Sequence, residues 1–243
     1  MSKQDEDTVT FAIHQPNYIP WLGYFYKMWR ADIFVYLDTV QFPRGQSFAN
    51  RNRIKTPNGV SYLTIPVSVP SGEEGKAAYT EVEFANEKWQ RKHEKTLQRS
   101  YARADYYEEI AEIYSKTSES ETDFVSLNIA LIESFAEYLD ITTTRVRLSE
   151  LLTEYGQKTE LIVDIARALD ADVYLSGEGG GREYNDEAVL NSNDIQLKYT
   201  GFQHPEYAQL WGDFESHLSI IDLLFNHGKN SRNILLAGKD ENT

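Results

Sequence analysis

The feature that most constrains the fold is a strand-loop-helix-strand pattern within the first 38 residues. Residues 9–14 are a short apolar and β-branched run, residues 32–38 are a second, and apolar side chains recur at helical spacing after Pro20. Two sequential strands joined by a helix are parallel, with a right-handed crossover. The pattern therefore predicts an open α/β sheet with a ligand site where the first strand ends.

The second half of the chain repeats this pattern. Its predicted strands are short apolar or β-branched runs, at residues 141–148, 172–176 and 195–199. The helix between the first two of them covers 159–169, with Thr159 as the expected N-cap, and a closing helix covers 220–226. Together the two halves predict an α/β fold with a Rossmann-like, mostly parallel sheet.

Two additions are expected beside that sheet. Asn58-Gly59 separates two strand-like runs within residues 54–67, which is the strongest short-range signal for a β-hairpin. Residues 86–140 are polar and helical in period with two breaks, so three helices are predicted there. We predict a single α/β domain, residues 1–243, with 86–140 as a helical insertion.

Composition excludes several classes of site and partner. The 24 Lys and Arg against 38 Asp and Glu give a net charge of −14, which opposes binding to nucleic acid and to anionic membranes. The absence of Cys excludes disulfides and thiolate metal sites, and the five His lack zinc-helix spacing, so no metal site is predicted. An acidic start without an apolar run predicts a cytoplasmic chain.

The acidic residues are not spread evenly. None occurs in residues 39–72, 34 consecutive positions, although this stretch contains four basic residues. Its cations and amide side chains suit a phosphate or a carboxylate. The predicted anion-binding residues are Gln41, Arg44, Asn50, Arg51, Asn52, Arg53 and Lys55. Pairing of these cations with acids elsewhere on the surface is the open alternative.

The first predicted strand leads into a polar loop, HQPNYIPWLGY, at residues 14–24. Two prolines restrict its backbone, and a glycine at the helix start admits close approach of a ligand. His14 is a predicted general acid or base, and Lys27 and Asp38 are the other predicted catalytic residues. The predicted substrate contacts of the loop are Gln15, Asn17, Tyr18 and Gly23. A turn that only packs aromatic side chains is the alternative.

A glycine-rich loop, SGEGGGREY, covers residues 176–184 after a predicted strand. Its backbone amides suit an anion-binding nest, although it matches neither the dinucleotide-binding fingerprint nor the Walker pattern. We predict a mobile lid over the strand ends. Its predicted ligand contacts are Gly177, Gly179, Gly180, Arg182 and Tyr184. A solvent-exposed loop without a ligand is the alternative.

Two further expectations concern the insertion. His93 is expected on a solvated helix face without a special role. A hypothesis in which the chain is a scaffold for other enzymes requires an exposed aromatic patch, for which the candidates are Tyr101, Tyr106, Tyr107 and Tyr114.

Five segments together resemble the WbqC-like family. They are AIHQPNYIPWLGYFYK, DIFVYLDTVQF, FANRNRIKTPNG, YLSGEGG and SIIDLLFNHG, within residues 12–228. That family is associated with O-antigen and related polysaccharide biosynthesis. The resemblance implies a cytoplasmic transferase or amide-forming enzyme that attaches an aminoacyl or acyl group to a nucleotide-activated amino sugar.

The loop that begins at His14 is also distantly similar to the first loop of nucleotidylyl transferases, which binds ATP phosphates. The His-x-Gly-His signature of those enzymes is replaced here by Trp21-Leu22-Gly23-Tyr24. The similarity of the loop makes ATP with Mg²⁺ one candidate, whereas the missing signature counts against it, so the cofactor stays open. The rival hypothesis is a non-catalytic module that binds a small anionic, phosphate-containing ligand. Nothing in the sequence decides the oligomeric state.

Overall fold

The computed structural model describes residues 8–43, 45, 47–70, 77–179 and 185–238. The strands are β1 (Thr10–His14), β2 (Ile33–Tyr36), β3 (Arg51–Thr56), β4 (Gly59–Thr64), β5 (Val67–Ser68), β6 (Glu83–Phe84), β7 (Thr144–Arg147), β8 (Val173–Ser176) and β9 (Gln196–Tyr199). The α-helices are α1 (Leu22–Arg30), α2 (Trp89–Tyr101), α3 (Tyr107–Ser120), α4 (Phe124–Tyr138), α5 (Leu148–Leu151), α6 (Thr159–Leu169), α7 (Glu187–Ser192), α8 (Ile220–His227) and α9 (Ser231–Ala237).

Five of these strands form the central sheet, in the order β7-β2-β1-β8-β9, and every neighbouring pair is parallel. Numbered along the chain, this is the order 3-2-1-4-5 of a Rossmann-like sheet. After β1, the strands β2 and β7 are added on one side of it. The later strands β8 and β9 are added on its other side. The predicted parallel α/β sheet is confirmed. The strand order reverses between β1 and β8, which is the topological switch point of the sheet.

Apolar side chains cover both faces of the sheet. Phe11 and Val35 pack with α6 on one face, whereas Ala12, Phe34 and Tyr36 pack with α1 and the insertion helices on the other. Alternate residues of a strand point to opposite faces, so β1 and β2 supply both cores. Each fully buried large apolar side chain stabilises the fold by about 1.5–3 kcal/mol.

The two predicted additions are present. In the β3–β4 hairpin Thr56 pairs with Gly59, whose φ of +96° favours glycine in the turn. The insertion forms α2, α3 and α4. Asp123 caps α4, because its side chain accepts a hydrogen bond from the Ser126 N–H at 2.8 Å. Within the described ranges, no helix combines the length and apolar character that crossing a membrane requires.

Two local expectations are corrected. The strand predicted at 141–148 covers only Thr144–Arg147, because the chain turns into α5 at Leu148. Thr159 is the first residue of α6 rather than its cap, and its hydroxyl accepts the Asp186 N–H at 3.1 Å.

The predicted exposed patch of four tyrosines is wrong. Tyr101 and Tyr114 are buried in the core, with 0% and 1% of their surface exposed, and Tyr107 is partly buried against it. Tyr106 is the one member of the four with a large exposed fraction. The insertion helices use these rings to pack on the rest of the molecule, so the scaffold hypothesis loses its supporting surface.

Candidate functional site

The candidate site lies at the carboxyl ends of β1 and β8, where the order of the sheet switches. His14 ends β1 and Ser176 ends β8, and these strands are neighbours. The polar loop follows His14, and the glycine-rich loop follows Ser176. Open α/β sheets bind their ligands in the crevice at such a point, because the loops on its two sides diverge. The two loops singled out in the sequence therefore begin at the same edge of the sheet.

Lys27 and His14 form the chemically most distinctive pair at this edge. Lys27 is 6% exposed, and its Nζ donates a hydrogen bond to the Ile13 carbonyl at 2.8 Å. Burial lowers the pKa of Lys27 to about 7. Among the described residues no carboxylate lies within ion-pair distance of this amine. The position therefore holds an amine that is partly uncharged near neutral pH.

His14 is neutral in this environment. Burial first, and then the charge of Lys27, lower the pKa of His14 to about 3. Its Nδ1 lies 3.1 Å from the Gln15 carbonyl oxygen, an acceptor, so Nδ1 carries the proton and Nε2 is left as an acceptor. His14 is suited to orient a donor group of a ligand.

A tyrosine and carboxylate cluster lies on the same face of the sheet. The Tyr24 ring centroid is 4.6 Å from that of His14. Tyr36 pairs in register with His14, and its hydroxyl donates to Glu133 at 2.8 Å. Arg145 holds the other Glu133 oxygen at 2.7 Å. Sequence reasoning missed these four residues. Aliphatic and aromatic residues alternate along β2, which indicates the face of the sheet on which Tyr36 lies. No local pattern in the sequence connects Glu133 to Tyr36.

The polar loop is fixed in a strained conformation. Ile19 has a φ of +36°, which is rare for a β-branched residue and costs energy. Its carbonyl accepts hydrogen bonds from Asn52 Nδ2 at 2.9 Å and from Ser219 Oγ at 2.6 Å. Asn128 Nδ2 bonds the Pro16 and Ala49 carbonyls at 2.8 and 2.9 Å. Asn128 and Ser219 were not predicted, because each reaches the loop from a distant helix.

The predicted contacts of this loop occupy different environments. Gln15 and Asn17 are half-buried, whereas Tyr18 is buried and its hydroxyl lies 2.9 Å from His93 Nδ1 and 2.6 Å from the Tyr114 hydroxyl. A Cβ at Gly23 would lie 2.4 Å from the Trp21 indole, so the glycine leaves room for that ring.

The expectation of a solvated His93 is wrong. His93 is 2% exposed, and its Nε2 donates to the Thr64 carbonyl at 3.1 Å. Burial lowers the pKa of His93 to about 4, so the ring is neutral and accepts a hydrogen bond from the Tyr18 hydroxyl at Nδ1. His93 thereby joins α2 to the hairpin and to the floor of the polar loop.

The acid-free segment is divided between the interior and the surface. Asn52 and Lys55 are buried, and Lys55 Nζ donates to Gln209 Oε1 at 3.1 Å and to the Asp213 carbonyl. Arg51 and Arg53 are half-exposed. Of the remaining predicted residues, Asn50 donates to the Ile65 carbonyl at 2.9 Å and Gln41 is exposed.

Asp38 and the glycine-rich loop complete the edge. Asp38 is 2% exposed, and its carboxylate accepts the Ser149 N–H at 3.0 Å and the Ser149 hydroxyl at 2.6 Å, which ties β2 to α5. Gly177 and Gly179 begin the second loop with open space around them. Four predicted contacts lie outside the described residues: Arg44, Gly180, Arg182 and Tyr184.

Comparison with known proteins identifies the family. The model of the WbqC-like protein family matches residues 15–234. The chain is also 35% identical over 222 residues to a protein of Mycobacterium tuberculosis (strain ATCC 25618 / H37Rv) described as "Uncharacterized protein Rv1507c". That match covers 89% of this chain and 93% of the relative. The chain belongs to the WbqC-like protein family.

Proposed function

We propose that this member of the WbqC-like protein family is a biosynthetic transferase that forms an amide on the amine of a nucleotide-activated amino sugar. The product would be a building block of a surface polysaccharide. The observation that carries the proposal is Lys27, a buried amine with a pKa of about 7 at the end of β1. A general base is most effective when its pKa is near the working pH.

The reaction needs a base at this position. The sugar amine attacks the carbonyl carbon of an activated acyl or aminoacyl group, so a C–N bond forms and the bond to the leaving group breaks. The leaving group departs with the electron pair. The attacking nitrogen must lose one proton, and the neutral Lys27 Nζ accepts it. His14 Nε2, an acceptor, orients the amine N–H before attack.

The surroundings of the pair support an anionic substrate. Among the described residues no carboxylate lies within ion-pair distance of Lys27, so no acidic side chain that close repels an anionic substrate. Gly177 and Gly179, at the start of the glycine-rich loop on the other side of the switch point, would supply backbone N–H groups to an anionic substrate. Asn52 and Asn128 hold carbonyls of the loop that follows His14, and a preorganised site lowers the barrier to reaction.

The test is turnover followed by mass spectrometry. Wild-type protein is incubated with a nucleotide-activated amino sugar, an amino acid and MgATP, and separately with an acyl thioester as donor. Lys27→Met is expected to lower the rate at least 100-fold, since general bases contribute about 10²–10⁴-fold. The control is Lys116→Met, whose side chain is 74% exposed on α3. Equal rates in Lys27→Met and wild type would refute the role of Lys27.

A further inference from the structure

The β3–β4 hairpin has an inner and an outer face. Its register places Arg51 opposite Thr64 and Arg53 opposite Tyr62. Directly opposed residues in an antiparallel pair share a face, and so do residues two apart on one strand. The intervening Asn52 is buried. Arg51, Arg53 and Tyr62 therefore share the outer face.

The outer face combines cations with an exposed aromatic ring. The guanidinium carbon of Arg51 lies 4.4 Å from the centroid of the Tyr62 ring, a cation–π contact. Tyr62 is 47% exposed, and Phe48, three residues before Arg51, is 50% exposed. No Asp or Glu occurs in residues 39–72. A surface of this composition attracts a ligand that has both a planar ring and negative charge.

We propose that the outer face of the hairpin binds the nucleoside diphosphate part of the substrate. The base stacks on Tyr62, and the two phosphates bind Arg51 and Arg53. The proposal rests on the proposed function, because it assigns a position to the nucleotide of the activated sugar. A bare anion would leave the aromatic ring unused, and a duplex would meet the repulsion of a net charge of −14.

The hairpin is fixed relative to the His14 loop. Asn52, on the inner side of β3, donates to the Tyr18 and Ile19 carbonyls at 3.1 and 2.9 Å. The Tyr18 N–H in turn bonds the Phe48 and Ala49 carbonyls just before β3. One strand thus holds the loop with one side and presents the arginines with the other. A nucleotide bound on the outer face would therefore have a fixed position relative to the loop that follows His14.

The test is calorimetric binding of ADP, UDP and pyrophosphate at one fixed salt concentration. Tyr62→Ala is expected to weaken both nucleotides at least fivefold more than pyrophosphate, because stacking involves the base alone, whereas the contact of Tyr62 with Arg51 affects all three ligands. Tyr62→Phe keeps the ring and should bind both nucleotides within twofold of wild type. Arg51→Ala should weaken all three ligands. The control is Arg167→Ala, an exposed arginine on α6.

Three outcomes would overturn the subsite. If Tyr62→Ala binds both nucleotides as tightly as the wild-type protein does, Tyr62 is not part of the site. Wild-type protein that binds neither nucleotide would remove the site itself. Tighter, Tyr62-dependent binding of an oligoribonucleotide would assign the face to nucleic acid. None of these results decides the transferase proposal, which the Lys27→Met turnover assay tests separately.

Discussion

The Nζ atom of Lys27 lies 2.8 Å from the carbonyl oxygen of Ile13, so that α1 holds a buried amine at the end of β1. Burial of a lysine without a carboxylate partner is costly, because water no longer stabilises its charged form. Buried ionisable groups that carry this free-energy cost are frequent at functional sites, where the shifted pKa makes the group a better acid or base near neutral pH. The same contact therefore makes predictions about both stability and activity.

Lys27→Met is expected to stabilise the fold at neutral pH. The pKa of Lys27 is lowered from 10.5 to about 7, so between these values the unfolded chain binds a proton that the folded chain does not. Stability falls as the pH drops through this window. After the lost hydrogen bond is subtracted, Met should gain about 2–4 kcal/mol at pH 7. Urea unfolding at pH 7 and 9.5 should show this gain shrinking at the higher pH. An equal loss at both pH values would contradict it.

The protein should lose stability in mild acid through His93, which is buried, and His14, which is half-buried. The pKa of His93 is lowered from 6.5 to about 4 and that of His14 to about 3. Below pH 6.5 the histidines bind protons in the unfolded state but stay unprotonated in the folded state, so the free energy of unfolding falls as the pH drops. For His93 the loss is about 3 kcal/mol by pH 4. His93→Gln should flatten the pH dependence of urea unfolding between pH 6.5 and 4. An unchanged slope would argue against a buried neutral ring.

Asn52→Ala should destabilise the protein by about 2–4 kcal/mol. The substitution removes two hydrogen bonds to the Tyr18 and Ile19 carbonyls and a third to the Arg53 N–H, in a side chain that is 1% exposed. The matched control is Asn50→Ala, which removes one half-buried bond to Ile65 and should cost about 1 kcal/mol. Chemical denaturation compares the two. Equal costs would show that the loop does not depend on Asn52.

Two tyrosines that bind one buried carboxylate should differ in importance. The Tyr101 hydroxyl donates to Asp222 at 2.7 Å and also accepts the buried backbone N–H of Lys55 at 2.9 Å. Tyr207 donates to Asp222 at 3.0 Å, and its other partner is the Gln209 side chain, which also donates to the Glu215 carbonyl. Tyr101→Phe should therefore cost about 1 kcal/mol more than Tyr207→Phe in urea unfolding. The double variant should cost more than the sum, because Asp222 then loses both tyrosine donors at once. Strict additivity would indicate that the two bonds are independent.

The strands of the sheet were predictable because buried parallel strands are continuous apolar runs, as in FAI of β1 and IFVY of β2. Strand ends were less predictable. The run after 141 continues its alternation into Leu148, and what ends β7 there is Asp38, which binds the Ser149 N–H from 111 residues away. A contact of that range leaves no trace in a local pattern.

The interior of the candidate site shows the same limit. Trp89, His93 and Leu97 recur at helical spacing, so a narrow buried stripe was visible, yet the surrounding charges of α2 concealed it. The contact of Tyr36 with Glu133 joins residues 97 positions apart on β2 and α4. Only the packing of the insertion on the sheet brings them together. The position of the polar loop at the sheet edge was predictable because the loop follows a strand directly.

The most direct test of the central claim is the pH dependence of kcat/KM for amide formation. If Lys27 is the general base, the rate should fall tenfold per pH unit below an apparent pKa near 7 and level off above it. The residual activity of Lys27→Met should lack this inflection. A rate that is constant from pH 5.5 to 8.5, or an inflection that persists in Lys27→Met, would contradict the account.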